Sequence, residues 1–145
     1  MPRCFLLAVA QSSAADATTG NMSLFNLVDS VRFIQSPSGI VLPLQVHVFL
    51  AVDQAEIDRN RNILTRLVWV RSDGLEITPG TVNSTLISHP HMRLRSESLT
   101  CPMNLGSYFI RLEWCWNDEA EWHREPQQWP LDLALHEAAP ASPTT

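Results

Sequence analysis

His89 and His91 flank Pro90, so an extended backbone would aim both imidazoles to one side, the beginning of a two-histidine metal site. A third ligand would have to come from His47, Glu97 or Cys101. The intervening proline marks a loop or sheet edge, where histidines are commonly solvated, so the pair is read as structural and no metal is assigned. Glu121, His123 and Glu125 also alternate and could hold a divalent ion or exchange protons, but the polar outer face of a short hairpin has the same spacing. Cys115 lies between Trp114 and Trp116 and shares a strand face with Arg111 and Glu113. A guanidinium beside it would lower the thiol pKa, with His123 as base; the alternating strand already accounts for its position, and an inert thiol is expected. There is no GxSxG elbow, no GxGxxG or Walker loop, and no lysine for Schiff-base chemistry. We therefore expect no enzyme, assign no catalytic residue and expect no cofactor.

The five tryptophans are the remaining feature. Flat indoles stack on sugar rings or fill partner pockets. Trp114 falls on the apolar face of its strand and is expected in the core. Trp116, Trp122 and Trp129 gather around the end of one hairpin, and at least one of them is expected to be exposed as an interface or ligand platform.

The elements that position these residues are read from composition and pattern. The chain has 145 residues, 45% of them hydrophobic, enough for one core without disulfide staples. A formal charge of -5 argues against binding to a phosphate backbone, and no apolar run reaches the length of a bilayer span, so neither nucleic acid nor membrane is expected as a partner. All ten cations are arginine, which favours bidentate pairing with carboxylates. Cys4, Cys101 and Cys115, an odd number without CxxC spacing, read as free thiols in a reducing, cytoplasmic setting. Residues 3–15 imitate a secretory signal, which would make the protein secreted, yet the apolar core is short and a turn ending at Thr19-Gly20-Asn21 follows. We read a first strand there.

Residues 22–34 are apolar but interrupted by Asn26, Asp29 and Arg32, which suits two short strands or one bulged strand before a turn at Pro37-Ser38-Gly39. Residues 44–52 alternate cleanly, with Leu44, Val46, Val48, Leu50 and Val52 on one face. Residues 53–62 allow at most one short helical turn. Residues 63–71 and 75–78 form a hairpin about Ser72-Asp73-Gly74. A break at Pro79-Gly80 and strands at 81–88, 92–99, 108–116, 121–124 and 128–136 follow, the last aligning Trp129, Leu131, Leu133 and Leu135. The expected fold is all-β: an antiparallel two-sheet β-sandwich of about eight or nine strands, a single domain over residues 1–137 with a disordered Ala/Pro/Thr tail at 138–145.

One pairing is specific enough to state by residue. If strands 92–99 and 108–116 pair around the connection 101–107, Arg95 lies opposite Glu113, Glu97 opposite Arg111, and Leu94 opposite Trp114. Charges then match on one face and apolar groups on the other.

Phe5-Leu6-Leu7-Ala8, Thr19-Gly20 leading into Leu24-Phe25-Asn26-Leu27-Val28, Glu56 with Asn60-Arg61 ahead of Leu67-Val68-Trp69, Asp73-Gly74, and Leu105-Gly106-Ser107-Tyr108 occur in this order. The pattern resembles a family of small bacterial all-β proteins of unknown function, over most of residues 5–133. The resemblance implies a sandwich and a bacterial cytosolic setting, and carries no catalytic or ligand residues. The chain departs from the family in its longer first turn and its many tryptophans.

The expected function is a non-enzymatic interaction or assembly module that uses a Trp-rich end or an open sheet edge to contact a protein partner or, as a homo-oligomer, itself. The alternatives are a small carbohydrate- or ligand-binding β-sandwich and a metal-dependent hydrolase built on the histidine or Glu121/His123 pairs.

Overall fold

The computed structural model describes residues 1–35, 40–78 and 81–136. The expected turn at Pro37-Ser38-Gly39, the break at Pro79-Gly80 and the tail at 138–145 lie outside the described residues. Twelve strands and one short helix follow in order: β1 (Arg3–Ala15), β2 (Met22–Leu27), β3 (Ser30–Phe33), β4 (Val41–Leu42), β5 (Gln45–Ala51), α1 (Gln54–Asp58), β6 (Asn62–Arg71), β7 (Glu76–Ile77), β8 (Asn83–Leu86), β9 (His91–Ser96), β10 (Leu99–Thr100), β11 (Gly106–Trp116) and β12 (His123–Leu135). The fold is all-β, as its alternation implies. No helix among the described residues is long and apolar enough to cross a membrane.

The strands form three sheets. The first has the order β2-β1-β5-β9. The second, curled into a half-barrel, has the order β3-β12-β11-β6-β7, with β8 also paired to β6. The third is the two-stranded pair β10-β4. Two expectations are corrected here. The count exceeds eight or nine because two-residue strands (β4, β7, β10) carry too little pattern to be seen. The fold is also not purely antiparallel, since β3 runs parallel to β12, pairing Ser30–Phe33 with residues 132–135. Residues 22–34 do make two strands, and they belong to different sheets. Asn26 bends the chain with a φ of 53°, and the crossing is tied at both ends: Val28 N–H donates to the Val9 carbonyl at 2.9 Å, and Asp132 N–H to the Asp29 carbonyl at 2.9 Å.

The strand over residues 44–52 packs as its alternation implies: Leu44, Val46, Val48, Leu50 and Val52 are all buried. They face Ile63, Trp69, Tyr108, Ile110, Leu112 and Trp114 of the second sheet across the core. Trp114 is in the core as expected. The Asp73-Gly74 hairpin also forms, with Gly74 at a φ of +90° that a Cβ disfavours.

The residue-level pairing is overturned. β9 pairs with β5, placing Arg95 opposite His47 and Leu94 opposite Val48; β11 pairs with β6 and β12, placing Glu113 between Arg66 and Arg124. Buried Leu99 and Cys101 carry the connection across the core, with β10 pairing with β4 on the way, so β9 and β11 end in different sheets. Arg95 takes Glu97 of its own segment at 2.6 Å, and Arg111 takes Glu113 at 2.7 Å and Glu76 at 2.9 Å. Charge matching is worth only about 0.2–1 kcal/mol per pair and was available to Glu113 from three other arginines, so it could not select the partner strand. Residues 121–136, expected as two strands, are joined through β12. Its prolines, Pro126 and Pro130, lie where β12 has no second neighbour, because β3 pairs only beyond them.

Candidate functional site

The two large sheets are closed against each other along one side and open along the other. On the closed side, Glu125 of β12 is a buried carboxylate. Its Oε2 accepts the Cys4 N–H of β1 at 2.8 Å and its Oε1 accepts the Trp114 indole N–H at 2.7 Å, so one side chain joins strands of both sheets. His123 stacks on Trp114 with ring centroids 4.3 Å apart. Burial first, and the Glu125 charge second, push the Cys4 thiol up to about 11.

On the open side, β9 is the edge of the first sheet and β8 covers only the start of the β6 edge, so a cleft of about 390 Å³ lies between them. Its volume falls in the range of small-molecule sites. The first sheet contributes Val46, Val48, Leu94 and Ser96. The second contributes Thr65, Leu67 and Leu112, with Asn83 and Thr85 of β8. A side cavity of about 90 Å³, also lined by Leu67, Asn83 and Ser96, continues the cleft toward Leu99 and Thr100.

Three arginines reach the lining of the cleft; two are paired with carboxylates and the third has a neutral acceptor. Arg66 donates twice to Glu113, at 3.0 and 2.7 Å, Arg95 pairs with Glu97, and Arg93 donates to the Gly20 carbonyl. No His, Cys, Asp or Glu lines the cleft among the described residues. Burial acts to raise the Glu113 carboxyl, but hydrogen bonds from Arg66 and Arg111 outweigh it and hold the group below the usual carboxylate range.

The residues singled out from sequence lie elsewhere. His89 and His91 are exposed, and His91 meets the edge of the Phe5 ring at 6.2 Å. His47 is buried beside Gln45 at 3.0 Å, and burial, then Arg95, hold its pKa below the ordinary histidine value. Glu121 is exposed and precedes β12, while Glu125 serves the clasp. Among the described residues, no three His, Cys, Asp or Glu side chains come together as metal ligands. Cys115 is 2% exposed, and burial raises its pKa more strongly than Arg66 lowers it.

The expected tryptophan platform is corrected: none of the three is exposed. Trp116 is buried under the Arg61 guanidinium at 4.2 Å, Trp122 is half-buried under Arg66 at 4.1 Å, and half-buried Trp129 donates its indole N–H to the Val28 carbonyl at 2.7 Å. The arginines that were expected to serve surface ion pairs also cap these rings.

Thr65, Asn83, Thr85 and Leu94 were not read from the sequence as lining a cleft; the run Asn83-Ser84-Thr85 carries polar residues at its lining, and only the register of β8 on β6 (Thr65 opposite Asn83, Ile63 opposite Thr85) brings them beside Thr65. No protein-family model matches the chain, and neither a curated protein nor a solved structure does.

Proposed function

We propose that this protein is a non-enzymatic binding module that seats a small ligand in the cleft between its two sheet edges. The observation that carries this reading is the 390 Å³ cleft itself, which reaches the core side chains Val46, Val48 and Leu112 in a protein whose opposite side is tightly clasped. A lining without an acid, a base or a thiol supports binding rather than turnover. Sugar stacking on tryptophan loses its support, since no indole lines the main cleft and Trp69, at the side cavity, is only 2% exposed.

The test is a thermal-shift screen of the full chain against a panel of small organic compounds, neutral and anionic. Binding raises the melting temperature by mass action, and each hit should lose its effect in Leu94→Trp, which fills the cleft. A panel without a stabilising compound, or hits that survive the filled cleft, would count against the reading.

A second reading, contact with a protein partner or another copy, rests on a separate surface. A β-bulge between Cys4 and Leu6 leaves both Phe5 and Leu6 exposed, and farther along β1, opposite Ser12 and Ala10, stand exposed Phe25 and Leu27 of the edge strand β2. Light scattering across a concentration series tests self-association, and a constant monomer mass would argue against it. Three free, buried thiols support a reducing, cytoplasmic location for either reading.

A further inference from the structure

The edge strand β9 sets an unpaired main chain beside the cleft. Val52 N–H donates to the Pro90 carbonyl at 2.8 Å, which fixes the phase of the β5–β9 ladder: Met92, Leu94 and Ser96 turn their backbone N–H and C=O toward β5, and Arg93 and Arg95 turn theirs away from it. Among the described residues no strand pairs with that side of β9. Both arginines line the cleft although their exposed side chains stand on the outer face of the sheet, where Arg93 lies over the Phe49 ring. They therefore offer the cleft free main-chain donors and acceptors, next to the apolar inner side chains Val46, Val48 and Leu94.

We infer that the cleft takes a short extended peptide segment, added to the first sheet as a strand antiparallel to β9, whose side chains alternate between acidic and apolar. This rests on the binding reading above and names its ligand. The main chain of such a segment pairs with the free N–H and C=O groups of Arg93 and Arg95. Its side chains follow the pleat: those opposite Arg93 and Arg95 stand on the outer face, and those between them point past Leu94 into the cleft. The outer face calls for acid. On β5 the cross-strand neighbours of Arg93 and Arg95 are Phe49 and His47, Arg93 meets no carboxylate among the described residues, and Glu97 holds Arg95 only in an exposed pair. The inner face calls for apolar groups, since Val46, Val48, Leu67 and Leu112 wall it. The same charges decide against a second copy of this chain, because two antiparallel β9 strands centred on Leu94 would set arginine opposite arginine.

The probe is a capped pentapeptide in which glutamate and valine alternate, titrated into the full chain and followed by isothermal calorimetry, with a lysine–valine counterpart as charge control. The glutamate peptide should bind at least about tenfold more tightly than the lysine peptide, and the double variant Arg93→Glu/Arg95→Glu, changed at two exposed positions, should reverse that order. N-methylation of the glutamate amides, which face β9 in this pairing, should weaken binding at least about tenfold, and N-methylation of the valine amides, which face away, less than about threefold. Amide hydrogen exchange followed by NMR reads the edge itself: the peptide should slow exchange at Arg93 and Arg95, while Leu94, already bonded to β5, exchanges slowly with or without it. A glutamate peptide that does not bind, a lysine peptide that binds as well, affinity unchanged by glutamate N-methylation, or unslowed exchange at Arg93 and Arg95 would overturn the strand assignment. The reading of the cleft as a binding site fails separately, when the compound screen yields no hit that Leu94→Trp abolishes.

Discussion

Removing the Glu125 carboxylate should cost more stability than any exposed substitution in the chain. Glu125→Ala leaves two buried donors, the Cys4 N–H and the Trp114 indole N–H, without the acceptor they now reach at 2.8 and 2.7 Å. Each buried donor left unpaired costs about 1–3 kcal/mol, so the expected loss is about 2–6 kcal/mol, a large part of the roughly 5–15 kcal/mol of a typical domain. At about 2–4 °C per kcal/mol for a chain near this size, the melting temperature should fall by roughly 4–24 °C. Glu125→Gln keeps one carbonyl oxygen and turns an amide toward the other donor, so it should lose an intermediate amount. Urea unfolding followed by circular dichroism and tryptophan fluorescence measures both variants, with exposed Glu121→Ala as a control expected within about 0.5 kcal/mol of the wild type. If Glu125→Ala unfolds within about 1 kcal/mol of the wild type, the two donors find other acceptors and the clasp does not hold the sheets together.

Other outcomes follow from the buried groups. Glu113→Ala takes the carboxylate from Arg66 and leaves Arg111 with Glu76 alone, and urea unfolding should register a loss of about 3 kcal/mol, the low end for breaking a buried pair. The wild type should also lose stability in acid. His47 is held below its unfolded value of 6.5, so its contribution is present above that pH and lost as pH falls toward its folded value. Glu113, held below 4.5, contributes above that pH and loses it further into acid. Unfolding free energies across this range should fall in two stages, with His47→Asn flattening the upper and Glu113→Gln the lower; a flat profile in the wild type would contradict both assignments. Cys4, Cys101 and Cys115 are buried with raised pKa values, so a thiol reagent at neutral pH should label them only at the rate of unfolding, and fast labelling of any one would refute its burial.

Alternation made most strands legible, because burying one face imposes a period of two wherever a strand exceeds four or so residues; 44–52 and 108–116 are examples. Partner choice was not legible. Glu113 could match an arginine on β9 as well as on β6 or β12, and only the path of the connection through β10 decides among them. Tryptophan exposure was misread for a related reason. Trp116 and Trp122 are covered by Arg61 and Arg66, contacts between residues 55 or more positions apart that no local pattern encodes. The cleft left one trace, the polar run Asn83-Ser84-Thr85 of β8. Its place becomes readable only once Asn83 is known to sit opposite Thr65.

Amide chemical-shift mapping of the full chain titrated with a compound that stabilises it in the thermal-shift screen tests the cleft most directly. Shifts should concentrate at Thr65, Leu67, Asn83, Thr85, Leu94 and Ser96, the two facing walls of one space. Shifts centred instead on Phe5, Leu6, Phe25 and Leu27, or none at all, would contradict a binding site between the sheets.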